Sequence, residues 1–218
     1  RALALGAHDQ AVAFLGQAVT VSADPAEQGE MLERASESAA AAARFDQAQT
    51  LARRALELYR PTGDRVAIAR GTAKLGAALG WGAQAKDALE LLEPAAAEFD
   101  DLWPNPAVVA LNAMLATAYL FSNRVPDCVS VADRVLEVAE HEDLVETLAF
   151  TLVTKGGALG TLGRVREGVG IIRAGEELAL DAGLTGIHLR GIQARTFWEL
   201  ESDTRRAIEG MREGIAIA

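Results

Sequence analysis

Leu75-Gly76-Ala77-Ala78-Leu79-Gly80 and Lys155-Gly156-Gly157-Ala158-Leu159-Gly160 match almost letter for letter. Halving the offset between them exposes a series. Ala11, Ala48, Ala88, Cys128, Gly168 and Ala207 are all small and nearly evenly spaced. Seven residues after each come Ala18, Ala55, Ala95, Val135, Gly175 and Gly214, and three residues after the first five lie the larger Phe14, Leu51, Leu91, Val131 and Ile171. Twelve residues before the middle four lie Ser36, Gly76, Ala116 and Gly156. Small residues at i and i+7 with a larger apolar residue at i+3 mark one face of a helix. The upstream small residue sits on a second helix, so each period of the sequence, about 40 residues, is a helical hairpin.

Turn chemistry agrees with this division. Gly6-Ala7-His8-Asp9, Arg44-Phe45-Asp46, Gly82-Ala83, Ser122-Asn123, Gly163-Arg164 and Glu201-Ser202-Asp203 read as turns within hairpins. Asp24-Pro25 with Glu27, Asn105-Pro106, and Asp143 with Glu146 read as helix starts, with a capping residue followed by proline or an acid. The expected helix pairs are 26–42 with 46–60, 65–81 with 84–99, 106–121 with 125–140, 144–161 with 165–182, and 186–200 with 203–218, preceded by half a repeat. The glycines at 76, 80, 156 and 160 are each unfavourable inside a helix by about 1 kcal/mol against Ala. Helices approach to about 8 Å only where the crossing residues are small, so close packing is expected to offset that cost.

Composition narrows the function. Half of the 218 residues are apolar but only 5% are aromatic, which suits close-packed helices better than sheets. The net charge is −10, from 31 acidic and 21 basic side chains, with no basic face to meet nucleic acid. No apolar run approaches the length of a membrane span, so no membrane partner is expected. Cys128 is the single cysteine, which excludes an internal disulfide and fits a cytoplasmic location. The chain begins at Arg1 and is expected to be a fragment of a longer one.

A helical hairpin with small residues in mid-first-helix, early in the second helix and two turns later resembles the tetratricopeptide repeat. Tyr119 and Pro61 match that family's aromatic and proline positions. The family's usual unit is somewhat shorter, at about 34 residues. The resemblance implies an all-α, right-handed superhelical stack of antiparallel hairpins, a tetratricopeptide-like α-solenoid. One such domain of five to six hairpins would cover 1–218. Repeats of this longer kind, rich in Ala, Arg and Gly, also resemble those of large bacterial regulators, in which an ATP-binding domain precedes the repeats and a LuxR-type DNA-binding domain often follows.

No motif points to catalysis, a cofactor or a metal. Gly76, Gly80 and Gly82 lack the Gly-Lys-Ser/Thr ending of a phosphate loop. His8, His141 and His188 are not spaced as metal ligands and are expected at surface or turn positions. Cys128 takes the place of an Ala or Gly and is expected to be a packing residue. By the resemblance, first helices line a concave groove. Its inward positions would be Ala73, Ala77, Gly80, Trp81, Ala113, Thr117, Leu120, Phe121, Gly157, Gly160 and Thr161, a neutral surface with Trp81 and Phe121 as walls. Packing between neighbouring hairpins is the alternative role for both aromatics. The Asn and Lys positions that clamp a peptide carboxylate in chaperone-binding members hold Glu33, Glu37, Ala73 and Ala77 here. The expected function is a scaffold that binds a protein or peptide segment, or a small effector, within a multidomain bacterial transcriptional regulator. A free-standing adaptor that assembles other proteins is the alternative.

Overall fold

The computed structural model describes residues 2–200 and 203–217, with side chains from residue 7 onward. The chain forms α1 (Ala2–Val21), α2 (Pro25–Ala41), α3 (Phe45–Tyr59), α4 (Arg65–Trp81), α5 (Ala85–Glu98), α6 (Pro106–Phe121), α7 (Val125–His141), α8 (Val145–Thr161), α9 (Val165–Asp181), α10 (Thr185–Glu199) and α11 (Thr204–Ile217). Two short 3₁₀ turns at Arg60–Thr62 and Asp100–Leu102 complete it, and no strand occurs among the described residues. From α2 onward every helix lies within one residue of its expected bounds.

The helices fall into two compact units, residues 1–118 and 119–218. In the first unit, consecutive helices from α1 to α5 pack on one another, and the first helices α2 and α4 also touch. In the second, α7 to α11 pack in the same succession and α8 touches α10. Neighbours run antiparallel: a Cβ on Gly168 would lie 2.4 Å from the Gly156 carbonyl, and one on Gly175 would lie 2.8 Å from that of Ala149. The core is mainly alanine, leucine and valine. Ala48, Ala88, Cys128 and Ala207 are all buried, as are Ala55, Ala95 and Val135 seven residues after the first three.

The turns share one backbone solution. A left-handed residue stands at 43, 63, 83, 123, 143, 163 and 183, always at one constant interval, half a repeat, or at its double. At most of these turns the next amide donates to the carbonyl five residues back, as in Arg44 to Ala39, Gln84 to Leu79, Arg124 to Tyr119 and Arg164 to Leu159. That is a Schellman closure, which usually carries Gly at the left-handed site. Ala43 and Ala83 stand there without a glycine's freedom, at φ of 58° and 61°. Ala83→Gly is therefore expected to raise stability by about 0.5–1 kcal/mol, read as a higher urea midpoint.

Three local expectations are corrected. The turn at Gly6-Ala7-His8-Asp9 does not form, and α1 runs through it. No left-handed residue occurs there, and one glycine among helix-forming Ala and Leu is too small a penalty to stop a helix. Asp143 is not a cap but the left-handed residue that closes α7, at φ of 53°, while Leu144 precedes α8 without a side-chain cap. Gly80 is not at a close crossing, because a Cβ there would meet nothing within 4 Å. Asp24 and Asn105 do cap, accepting from the amides of Ala26 at 2.9 Å and Ala107 at 3.0 Å. In the expected turn at Glu201-Ser202-Asp203, residues 201 and 202 lie outside the described residues.

Candidate functional site

The first helices α4, α6 and α8 end at Trp81, Phe121 and Thr161, each followed by a two-residue turn and then Gln84, Arg124 or Arg164. A helix-end side chain beside a tight turn has few neighbours to cover it. Trp81 is accordingly 47% exposed and Phe121 61% exposed, and Thr161 is exposed as well. Neither aromatic is a core residue. Ala77, Gly80, Leu120 and Gly157 are half-buried. Within the second unit, Leu120 lies under Gly157, with a methyl 3.4 Å from where a Cβ would be. Ala113 and Thr117 are buried in α6, where the Thr117 hydroxyl donates to the Ala113 carbonyl at 3.1 Å.

The first helices of the first unit are not neutral. Glu33 of α2 accepts from Arg70 Nε of α4 at 2.9 Å, and Lys74 pairs with Glu37 one turn along. Arg70 also lies 5.4 Å over the Tyr59 ring and donates to its hydroxyl at 3.2 Å. Glu33 is buried, and its Oε1 has no hydrogen-bond partner. Burial pushes its carboxyl above the usual 4.5, against the pull of Arg70. These partners stand 37 residues apart in sequence, and no local motif announces them.

A second polar cluster joins α9, α10 and α11. Arg195 donates through Nε to both oxygens of Glu176 at 2.9 and 3.0 Å, and through Nη1 to Glu199 at 3.2 Å. Arg173 donates to the other oxygen of Glu199 at 2.6 Å. Glu176 and Glu199 are both buried, and burial raises the Glu176 carboxyl despite Arg195. A cleft of about 390 Å³ opens beside them, lined by Arg173, Glu176, Arg195, Arg206, Glu209, Gly210 and Glu213. His188, expected at the surface, is buried against this cluster, with Nδ1 3.2 Å from the Glu176 carbonyl oxygen. The internal period is the signal that could have found it. One repeat upstream of Arg195, Glu199 and Glu176 stand Lys155, Leu159 and Leu136, and two repeats upstream Leu115, Tyr119 and Ala96, so only this joint replaces all three with pairing charges.

Cys128 is fully buried, and burial pushes its thiol up to about 12, with Arg190 pulling weakly the other way. Arg190 is occupied elsewhere, donating to the Phe150 carbonyl at 3.0 Å and the Thr154 hydroxyl at 2.8 Å while stacking 4.2 Å over the Phe150 ring. A thiol so placed stays protonated near neutral pH and is a poor nucleophile. Among the described residues, no group of three or more His, Cys, Asp and Glu side chains is arranged to hold a metal ion, and no helix is long and apolar enough to cross a membrane.

Solved structures of helical repeat proteins share this architecture. A Rap protein complexed with the competence and sporulation factor superposes with a TM-score of 0.77 at 14% identity, covering 94% of this chain and 57% of its own. The fold is tetratricopeptide-like. A putative kinesin light chain from Podosopora anserina, with nearly identical TPR-like repeats, matches at TM-score 0.60 and 16% identity, covering 90% of this chain and 97% of its own. Aspartyl phosphate phosphatase F from Bacillus subtilis matches at TM-score 0.65 and 13% identity, covering 98% of this chain and 68% of its own. No protein-family model and no curated protein sequence matches the chain.

Proposed function

We propose that this chain is a non-catalytic interaction scaffold in which exposed first-helix ends, Trp81 in one compact unit and Phe121 in the other, each offer an apolar contact to a protein partner. The observation that carries this reading is the exposure of Trp81 and Phe121 in a molecule with few aromatics and net charge −10. Exposed aromatics are the side chains on which interface energy concentrates. Support for the partner class comes from the Rap protein, a similar fold complexed with the competence and sporulation factor. The reading is non-catalytic because the one thiol is held protonated and the buried carboxylates Glu33 and Glu176 are engaged by arginines.

In the finer reading, the chain is the cytoplasmic sensor region of a multidomain bacterial transcriptional regulator, on its likeness to the Ala-, Arg- and Gly-rich repeats of such proteins. Flanking ATP-binding and DNA-binding domains in the gene are the expected finding; their absence would make the chain a free-standing adaptor.

The test is selection of displayed random peptides on the chain, followed by affinity measurement on Trp81→Ala and Phe121→Ala. Selected peptides are expected to be apolar and to lose about 2 kcal/mol of binding on at least one variant. Both variants should fold normally, since neither residue is core. Binding should depend weakly on salt, because screening acts on charges and not on apolar burial. Peptides that bind both variants equally, or release steeply with salt, would move the interface to the acidic helices.

A further inference from the structure

Three arginines of the first helices are half-buried: Arg70 on α4, and Arg190 and Arg195 on α10. Arg70 faces Glu33 and Glu30 of the preceding first helix at 2.9 and 3.9 Å, and Arg195 holds Glu176 and Glu199. Arg190 pairs with no carboxylate among the described residues. Its Nη1 donates to the Phe150 carbonyl and its Nη2 to the Thr154 hydroxyl, while the guanidinium lies over the Phe150 ring. These two bonds leave most of the five N–H donors of a guanidinium unused, Nε included.

Arg70 and Arg190 stand at the same position of their repeats, which shows where the acid is missing. In α2, Glu30 and Glu33 serve Arg70; the matching residues of α8 are Phe150 and Val153. The lack of an acid is thus a property of the joint between α8 and α10, both sides of which are described, and not of any helix's outer face. Burial pulls the Arg190 guanidinium down to about 10, with only the Cys128 thiol acting the other way. It is still a cation near neutral pH. A desolvated cation without a counter-charge is costly, and buried charges in folded proteins are normally paired. Arg190 is half-buried and not sealed, so an anion from solvent can meet it.

We infer that Arg190 is the receiving group of a site for a carboxylate-bearing ligand at the joint of α8 and α10. A carboxylate fits the planar fork of a guanidinium with two parallel hydrogen bonds. It would take for Arg190 the part that Glu33 takes for Arg70. The Phe150 ring fixes the plane of the guanidinium, and the two bonds to α8 hold its head, so the remaining donors are presented in a set direction. A free organic acid and the C-terminus of a peptide carry the same group, and the site recognises that group. The inference does not rest on Trp81 or Phe121.

The experiment follows the Arg190 Nε–H resonance of the whole chain, assigned through bonds from its own backbone amide. Sodium acetate replaces sodium chloride at constant ionic strength. A saturable shift is expected with acetate and with N-acetylglycylglycine, and none with N-acetylglycylglycine amide. Half-saturation by N-acetylglycylglycine at least about tenfold below acetate would make a peptide end the source, and comparable values a free acid. Acetate should also raise the melting temperature of the wild type but not of Arg190→Met, which keeps the aliphatic stem and removes the charge. No shift with either carboxylate, or an equal response to the amide, would overturn the proposal. So would inorganic phosphate half-saturating about tenfold below acetate, or an equal rise in melting temperature for folded Arg190→Met. Should that variant fail to fold, the wild-type titration decides alone.

Discussion

Gly156→Ala is expected to destabilise the chain by about 1–3 kcal/mol, the usual cost of overpacking, while Gly80→Ala stabilises it by up to about 1 kcal/mol. Both glycines lie in first helices, and both gain helix propensity from a methyl group. At 156 that methyl would lie 2.5 Å from Ile172 Cγ1 and 2.6 Å from the Gly168 carbonyl oxygen. The second of these is backbone, on a helix held by its own hydrogen bonds, so it cannot swing aside as a side-chain tip would. Relief must come from moving α8 and α9 apart along a crossing built from Gly156 and Gly168. At 80 the methyl would meet nothing within 4 Å, so the propensity gain stands alone. Urea unfolding of the two variants beside the parent reads the sign directly. A stabilised Gly156→Ala would mean that the α8–α9 crossing is looser than described.

Arg195→Ala is expected to cost about 3–5 kcal/mol, the range for removing one partner of a buried ion pair. The substitution removes the arginine shared by two buried carboxylates: Glu176 loses both of its bonds from Nε, and Glu199 loses its bond from Nη1. The informative comparison is the triple replacement Arg195→Met, Glu176→Leu and Glu199→Leu. It installs at this joint the apolar character of Leu75, Leu56 and Leu79, which stand at the matching positions of the first unit. Replacing a buried charge network by aliphatic side chains is neutral or stabilising by about 1–4 kcal/mol in comparable cases. The triple variant should therefore recover the stability that Arg195→Ala loses, measured by denaturant midpoint. A triple variant as unstable as the single one would show that the polar cluster, and not the burial it occupies, holds α9, α10 and α11 together.

The architecture was legible in the residues because its causes are local and repeated. Small side chains return at one helix face once in every repeat, and turn residues stand between them, so helix positions from α2 to α11 follow from pattern alone. The single misplaced turn, at residues 6–9, fell in the half repeat where no second copy of the pattern could check it.

The candidate sites were legible only in part. That Trp81 and Phe121 end first helices follows from the period; that both stand in solvent depends on what fails to cover them, which no local pattern states. Gly80 and Gly160 hold the same place in their repeats, yet Gly160 lies under the ring of Trp198 and Gly80 under nothing. Glu33 finds Arg70, Glu176 finds Arg195, and His188 is buried against that second pair, through contacts that span 12 to 37 residues. Periodicity assigns a residue to a face of its own helix. Whether that face meets a methyl group, a guanidinium or water is decided by the neighbouring helix, and only the packed structure brings the two together.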